Sequence, residues 1–510
     1  MVVAIIYRKE KTKMKKKQMS LLLCALMLAS SVSMFACSEN GSADSGTGTD
    51  VGTSADGAVT PEAETEPETE AAKLELPSDL TFSGETFTFG VVDNANARNF
   101  LVMEELTGEA LNDAQFEVIE EAQEKLDVTI AQHVLTTGYP AAGSLTPLIA
   151  AGDDTIQVAN VFCVDTTTLL TGGQIVGYAD VPHIDLEKPW WDQSVNSELM
   201  LGNMRYAAIG DLSISTHDLT YILLFNKQKI TDFGLDDPYR LVSDGKWTVD
   251  TMSLMMEAAT LDTDGDGQWT RDDMYGYAAH SKMTLPSFWI GAGFQTIALD
   301  ETGTPQLHIG EEAFVSFFEK VFQITYDNGS KYNGSDRDVG EDVPTASREL
   351  FREGKVLFID CSMFWVESLR DMETDFGIIP YPKLDESQSD YHARVSYYMP
   401  PVIPATNTRL ELTGAILEMT NYLARSKVTP AYYEVVLKGK VSRDEESSAM
   451  LDLIFANRVI DLGDTLFCSL VRDGFMTSLY SNDQRDLMST YATQQKILNK
   501  NIEKTMELVN

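Results

Sequence analysis

The stretch Asp113–Val134, DAQFEVIEEAQEKLDVTIAQHV, carries two periods side by side. Ala114, Val118, Ala122 and Leu126 recur every fourth residue, which lines one face of a helix. Val128–Val134 then turns β-rich, which predicts a strand entered directly from that helix. Working outward, Glu85–Val92 reads as the first strand, Thr146–Ala151 as the end of a helix stopped at Gly152, and Gln157–Val164 as a third strand. Strand and helix alternating in this way predict an α/β lobe with a largely parallel sheet. A second alternation starts at Tyr221: strands at Tyr221–Asn226, Lys355–Asp360 and Gly377–Pro380, helices at Thr248–Thr260 and Ala313–Tyr326. From Leu410 the pattern is mainly helical, with Ser442-Arg443-Asp444-Glu445 as a capping box. No fixed-period repeat is visible, which argues against a solenoid.

The first 78 residues are of another kind. A basic run, Lys11–Lys17, precedes the apolar run Leu21–Ala36, the layout of a secretory signal. That run falls short of the ~20 residues a membrane span needs. Met14 opens a signal of ordinary length. Met34-Phe35-Ala36-Cys37 resembles a bacterial lipobox, which makes Cys37 the expected lipid acceptor and residues 1–36 the signal. Plain secretion with cleavage near Ala36 is the alternative. Residues 37–78 read as an acidic spacer; Ser38–Leu76 has no aromatic residue and cannot bury enough to offset its ordering entropy.

The rest of the 510 residues suffices for two lobes. A formal charge of −39 argues against nucleic acid or an anionic surface as partner. Cys163, Cys361 and Cys468 are an odd, widely spaced set, read as buried thiols rather than a disulfide framework. There is no HExxH, GxSxG, P-loop or GxGxxG, so little points to an enzyme.

Several segments, in their order, resemble the extracellular solute-binding proteins of ABC importers, family 1, the maltose-binding-protein-like receptors. They are Leu148–Asp153 with the strand at Val158, Leu169–Tyr178, Leu223–Lys227, Gly354–Phe358 running on to Trp365, Ile378–Pro382, and Leu412–Ala415. The resemblance implies an α/β, two-lobed periplasmic-binding-protein-like fold of type II, with a hinge and an interlobe ligand cleft. Lobe 1 is expected at 79–216 and about 393–462, lobe 2 at about 217–392 and 463–510. It implies a monomeric, non-enzymatic receptor on the outer face of a bacterial membrane, delivering a carbohydrate to an ABC permease. A peptide or other polar solute is the first alternative ligand; a surface glycoside hydrolase and an adhesion protein are more distant readings.

Sugar sites combine aromatic faces with carboxylates and amides. The expected ligand-binding residues are Asp93, Asn94, Asp165, His217, Asp218, Trp289, Ser362 and Trp365. Trp289, in the Gly-flanked aromatic turn expected at 287–293, and Trp365 either stack on ligand or belong to the core. Asp165 lies at the carboxyl end of a strand, where open α/β sheets place ligands, or else caps a helix. His217 and Asp218 precede the expected crossing strand, and either floor the cleft or satisfy loop backbone. Trp190, Trp191 and Trp247 read as core. The run Asp262–Asp273 has EF-hand spacing: carboxylates at Asp262, Asp264 and Asp266, the Gln268 carbonyl, Thr270, and Asp273 where Glu is usual. A structural calcium ion is expected there; an acidic turn without metal is the alternative.

Overall fold

The computed structural model describes residues 72–138, 140–278, 281–332, 343–433 and 445–509. Cys37, the signal-like segment, nearly all of the spacer and the capping box at 442–444 lie outside the described residues.

Two five-stranded sheets organise the chain. Their strands are β1 (Glu85–Val92), β2 (Val128–Thr136), β3 (Val158–Asn160), β4 (Ile175–Val176), β5 (Tyr221–Asn226), β6 (Tyr275–Ala278), β7 (Lys331–Tyr332), β8 (Val356–Ser362), β9 (Phe376–Ile379) and β10 (Pro401–Pro404). Lobe 1 has the order β2-β1-β3-β10-β4 and lobe 2 the order β7-β6-β8-β5-β9. In lobe 1, β1 runs parallel to β2 and β3, while β10 is antiparallel to β3 and β4. In lobe 2, β6 runs parallel to β7 and β8, while β5 is antiparallel to β8 and β9. The antiparallel fourth strand is in each case the one that arrives from the other lobe. Because β5 and β8 are covered on both faces, they read as continuous apolar runs and are buried at every position.

Helices cover both sheets. In lobe 1, α1 (Ala110–Leu126) turns Val118, Ile119, Ala122 and Leu126 inward. The long helix at 410–433 packs against it. α2 (Ala142–Ala150) and α3 (Cys163–Thr171) follow β2 and β3. In lobe 2, the Thr248 hydroxyl caps α4 (Val249–Ala258) by accepting the Thr251 amide at 3.3 Å. Lobe 2 also holds α5 (Ser281–Gly291), α6 (Glu312–Phe322), α7 (Val343–Arg352) and the single turn α8 (Met363–Val366). The last third supplies α9 (Leu410–Tyr433), α10 (Glu445–Ala456) and α11 (Leu487–Val509).

Trp190, Trp191 and Trp247 are core, as read from sequence. The indoles of Trp190 and Trp191 both donate to one buried carboxylate, Glu418, at 3.1 and 3.0 Å. Cys163, Cys361 and Cys468 are buried free thiols.

Three expectations change. The strand placed at 157–164 has only three residues, because Cys163 already begins α3. The aromatic run 287–293 is no turn: residues through Gly291 belong to α5. Residues 445–456, expected in lobe 1, pack on lobe 2, where the Ser447 hydroxyl meets the Tyr239 hydroxyl at 2.6 Å and accepts the Ile378 amide. The boundaries at 393 and 463 give way to a seam. Arg458 pairs with Asp192 at 2.7 Å, while the buried Asp464 takes Arg394 at 2.6 and 2.8 Å and Arg472 at 3.0 Å. α11 packs against both α3 of lobe 1 and α6 of lobe 2, and the Gly202 amide donates to the Gly303 carbonyl across the lobes at 2.9 Å.

Candidate functional site: the interlobe cleft

The two sheets present their strand ends to a cavity of about 640 Å³. Lobe 1 contributes the turn after β1 (Asn94–Asn96), the residues after β2 (Thr137 and Gly138), and Phe162 after β3. Lobe 2 contributes Thr345, Ser347 and Arg348 from α7, the end of β8 from Asp360 to Ser362, and Trp365 from α8. Leu219, Tyr221 and Tyr397 enter from the two crossings. This is where open α/β sheets place ligands, outside the carboxyl ends of their parallel strands.

Of the residues expected to bind ligand, Asn94, Ser362 and Trp365 line this cavity. The half-buried indole of Trp365 carries the Arg348 guanidinium over its face, 4.0 Å from the ring centre. The Asn94 carboxamide accepts the Asn96 amide at 3.0 Å and so shapes the β1 turn. Asp93 is exposed beside the cavity and does not line it.

Four expectations fail on burial and hydrogen bonding. Trp289 is 1 % exposed in the lobe 2 core, its indole donating to buried Asp461 at 2.7 Å. A helix position aimed at Phe314 leaves no face for a ligand. Asp165 is buried and accepts the Ala141 amide at 2.7 Å, satisfying the start of α2 rather than a solute. Desolvation raises its pKa, opposed by the Ala141 and Ala142 amides. The His217 ring packs on Tyr432 and Phe455, and burial, with Arg458 nearby, pushes its pKa down to about 3 and keeps it neutral. Asp218 is wholly buried and holds Arg98: its carboxylate accepts the Arg98 backbone amide and Nη1, both at 2.7 Å. Arg98 then spans the lobes, its Nη2 reaching Glu367 at 2.6 Å. Asp218 therefore anchors an interlobe strap.

Sequence reasoning missed Asp360, Arg348, Tyr221 and Tyr397. Asp360 had a signal, a lone charge inside the apolar run VLFIDC, which a strand interior tolerates only for a purpose. Burial pushes its pKa up to about 7, with the Tyr381 hydroxyl and Arg394 pulling it down. Tyr397 is a bulky residue at φ +58°, a conformation that costs energy and clusters at functional sites. Arg472 holds it there, donating to its hydroxyl at 2.5 Å and lying 4.4 Å from the ring centre.

The EF-hand-like loop lies apart from the cleft. Carboxylate oxygens of Asp262, Asp264 and Asp273 lie within 4.8 Å of one another. Asp266 is outside this trio; its carboxylate accepts the Gln268 amide at 2.7 Å. Thr270 turns inward, its amide and hydroxyl both donating to Asp273. Gly265 and Gly267 sit at φ +72° and +78°, which lets the chain wrap the acidic side chains.

No protein-family model matches the chain, and a search of curated proteins finds no match. Solved structures do match. A cyclo/maltodextrin-binding protein complexed with maltotetraose aligns at TM-score 0.54 and 11 % identity, over 83 % of this chain and 97 % of that one. RafE from Streptococcus pneumoniae, in its apo form, aligns at 0.52 and 13 %, over 84 % and 99 %. UgpB from Mycobacterium tuberculosis in complex with glycerophosphocholine aligns at 0.52 and 15 %, over 77 % and 95 %. At such identities the likeness establishes architecture. The chain has the two-lobed, periplasmic-binding-protein-like fold of the extracellular solute-binding proteins of ABC importers.

Proposed function

We propose that this protein is an extracellular receptor that captures a carbohydrate, an oligosaccharide, and delivers it to an ABC transporter permease. One observation carries the reading: the cavity between the lobes is lined by the rings of Trp365, Tyr221 and Tyr397 together with neutral amides and hydroxyls at Asn94, Asn96, Thr137, Thr345, Ser347 and Ser362. Flat rings suit the apolar face of a pyranose, and the polar groups suit its hydroxyls. Hinge closure on such a solute produces the shape a permease can distinguish from the empty receptor. The neighbour holding glycerophosphocholine marks the fold as permissive of other solutes, so the ligand class rests on the cavity lining.

The test is a thermal-shift screen of mono- and oligosaccharides, followed by calorimetry and recovery of the ligand. Saturable binding with the sugar recovered intact supports a receptor. Saturable binding of peptides alone would sink the carbohydrate reading, and cleaved sugar would favour a hydrolase.

Two further parts belong to this reading. Cys37 carries a lipid that tethers a monomeric receptor to the outer face of a bacterial membrane, with residues 38–78 as spacer; its support is the lipobox-like run. Globomycin-sensitive processing and loss of membrane retention in Cys37→Ala test it. The loop 262–273 holds a structural calcium ion, supported by its spacing and by the clustered carboxylates of Asp262, Asp264 and Asp273. A chelator should lower the melting temperature and calcium should restore it; indifference to both removes the ion.

A further inference from the structure

On the lobe 2 side of the cavity one side chain has an unmet need. Asp360 is 9 % exposed, and its Oδ2 accepts the Tyr381 hydroxyl at 2.6 Å. Among the described residues its buried Oδ1 has no hydrogen-bond partner. Leaving a buried carboxylate oxygen without a donor is costly, and native proteins seldom keep one unless something else supplies the donor. A second orphan lies in the same lobe. Lys331, 8 % exposed, has no hydrogen-bond partner for its Nζ among the described residues; the Nζ sits 4.6 Å from the ring centres of Tyr326 and Tyr480. Asp360 forms part of the cavity wall, and Lys331 interacts electrostatically with Asp360.

The geometry points to Asp360 as the lobe 2 anchor of the ligand, its Oδ1 accepting a hydroxyl hydrogen from an uncharged, polyhydroxylated solute. The inference rests on the receptor reading above and narrows it. Asp360 and Arg348 are the charged members of the lining among the described residues, and their charges offset. An ammonium ligand meets the Arg348 guanidinium and an anionic one meets Asp360. A neutral sugar meets neither penalty and supplies the donor that Oδ1 lacks.

Binding at this oxygen is linked to a proton. The titratable and charged groups around Asp360 are Tyr381, which hydrogen-bonds to its Oδ2, Tyr277 beside Tyr381, Arg394 and Tyr221 from the crossings, and Lys331 and Tyr480 behind it. Cys361 adjoins it on β8, its thiol pushed up by burial. Burial holds the free Asp360 at about 7, against the pull of Tyr381 and Arg394. A hydroxyl donating to Oδ1 favours the carboxylate and lowers that value in the complex. The complex then binds fewer protons than the free receptor, so affinity rises with pH. A drop of one unit makes binding about fivefold tighter at pH 8 than at pH 6.

The experiment is calorimetry at pH 6, 7 and 8 with a fixed panel of maltotetraose, raffinose, xylotetraose and cellotetraose, on the wild type and Asp360→Asn. The expected result is a panel member that binds the wild type with the fivefold pH slope, and a variant that binds at least tenfold more weakly with no slope. Wild-type affinity in the variant, or a flat wild-type profile, overturns the inference. Should the variant not fold, wild-type titrations in two buffers of different ionisation enthalpy decide, with proton release near pH 7 expected and its absence overturning. If the wild type ignores the panel and takes glycerophosphocholine or a peptide pool instead, the carbohydrate reading itself has failed, and the neutral-solute anchor with it.

Discussion

Arg98 touches two carboxylates at nearly equal distance, and their burial alone predicts opposite consequences for removing them. Asp218 has a side chain with no exposure and lies 2.7 Å from Nη1; Glu367 is 36 % exposed and lies 2.6 Å from Nη2. Asp218→Asn leaves a guanidinium only a quarter exposed without its buried anion, and weakens the acceptor of the Tyr432 hydroxyl. Breaking a buried pair from one side costs about 3–5 kcal/mol, and the partial exposure of Arg98 puts this case near ~3 kcal/mol. At ~2 °C per kcal/mol for a large chain, that lowers the melting temperature by ~6 °C. Glu367→Gln loses a solvent-screened pair worth at most ~1 kcal/mol, less than ~2 °C. That pair joins the lobes, however, and its whole energy bears on the balance between closed and open forms. A bias of ~1 kcal/mol is about fivefold in that equilibrium, so Glu367→Gln should weaken ligand binding by up to that factor and expand the free protein in small-angle scattering. Differential scanning calorimetry and ligand titration on both variants check it. Equal melting losses would refute the reasoning, because they would mean that distance rather than burial sets the energy.

The tryptophans separate in the same way. Trp365→Ala should weaken sugar binding about tenfold or more at little cost in melting temperature, since the ring is half-buried in the cavity wall. Trp289→Phe should leave affinity unchanged and cost ~1.5–3 kcal/mol through the lost bond to the Asp461 carboxylate, read by urea denaturation. Asp464→Asn removes the charge shared by Arg394 and Arg472, and should destabilise by about 3–5 kcal/mol in the same assay. Glu418 gives a pH signature. Burial pushes its pKa up to about 7, above the value near 4.5 of an exposed glutamate, although both indoles pull it down. A raised carboxyl contributes stability that is complete below pH ~4.5 and lost as pH rises through ~7, at most ~3 kcal/mol in all. Glu418→Gln should remove that decline, so a flat wild-type-minus-variant difference from pH 5 to 8 would sink this reading.

The α/β architecture was legible because it is written in local periods. Ala114 to Leu126 turns every fourth residue inward, and β5 appears in sequence with the limits it has in the structure, Tyr221–Asn226. The cavity was half legible, for a physical reason. Asn94, Ser362 and Trp365 lie at or just after strand ends, where a sequence can be searched; Arg348 and Tyr397 reach the cavity from α7 and from a crossing, placed only by long-range packing. Trp289 misled because its flanking glycines read as a turn. Gly291 instead closes a helix, and the Gly291 position approaches the Tyr381 side chain too closely for a Cβ. Asp165 and Asp218 misled because a carboxylate at a loop serves a backbone amide or an arginine as readily as a solute, and only the partner distinguishes them.

The exchange of strands between the sheets has a kinetic consequence. β3 and β4 have no strand between them until β10 is made, and β10 begins at residue 401, more than 200 residues after β4. During synthesis lobe 1 therefore carries an open gap in its sheet while the whole lobe 2 sheet is still being added. Pairings of such sequence separation are slow to close. A chain stopped near residue 390 should hold neither a finished first lobe nor a releasable one. It should instead expose the edge of β3, where another strand can add. The same delay leaves the full-length chain with an unpaired β3 edge for longer as it emerges.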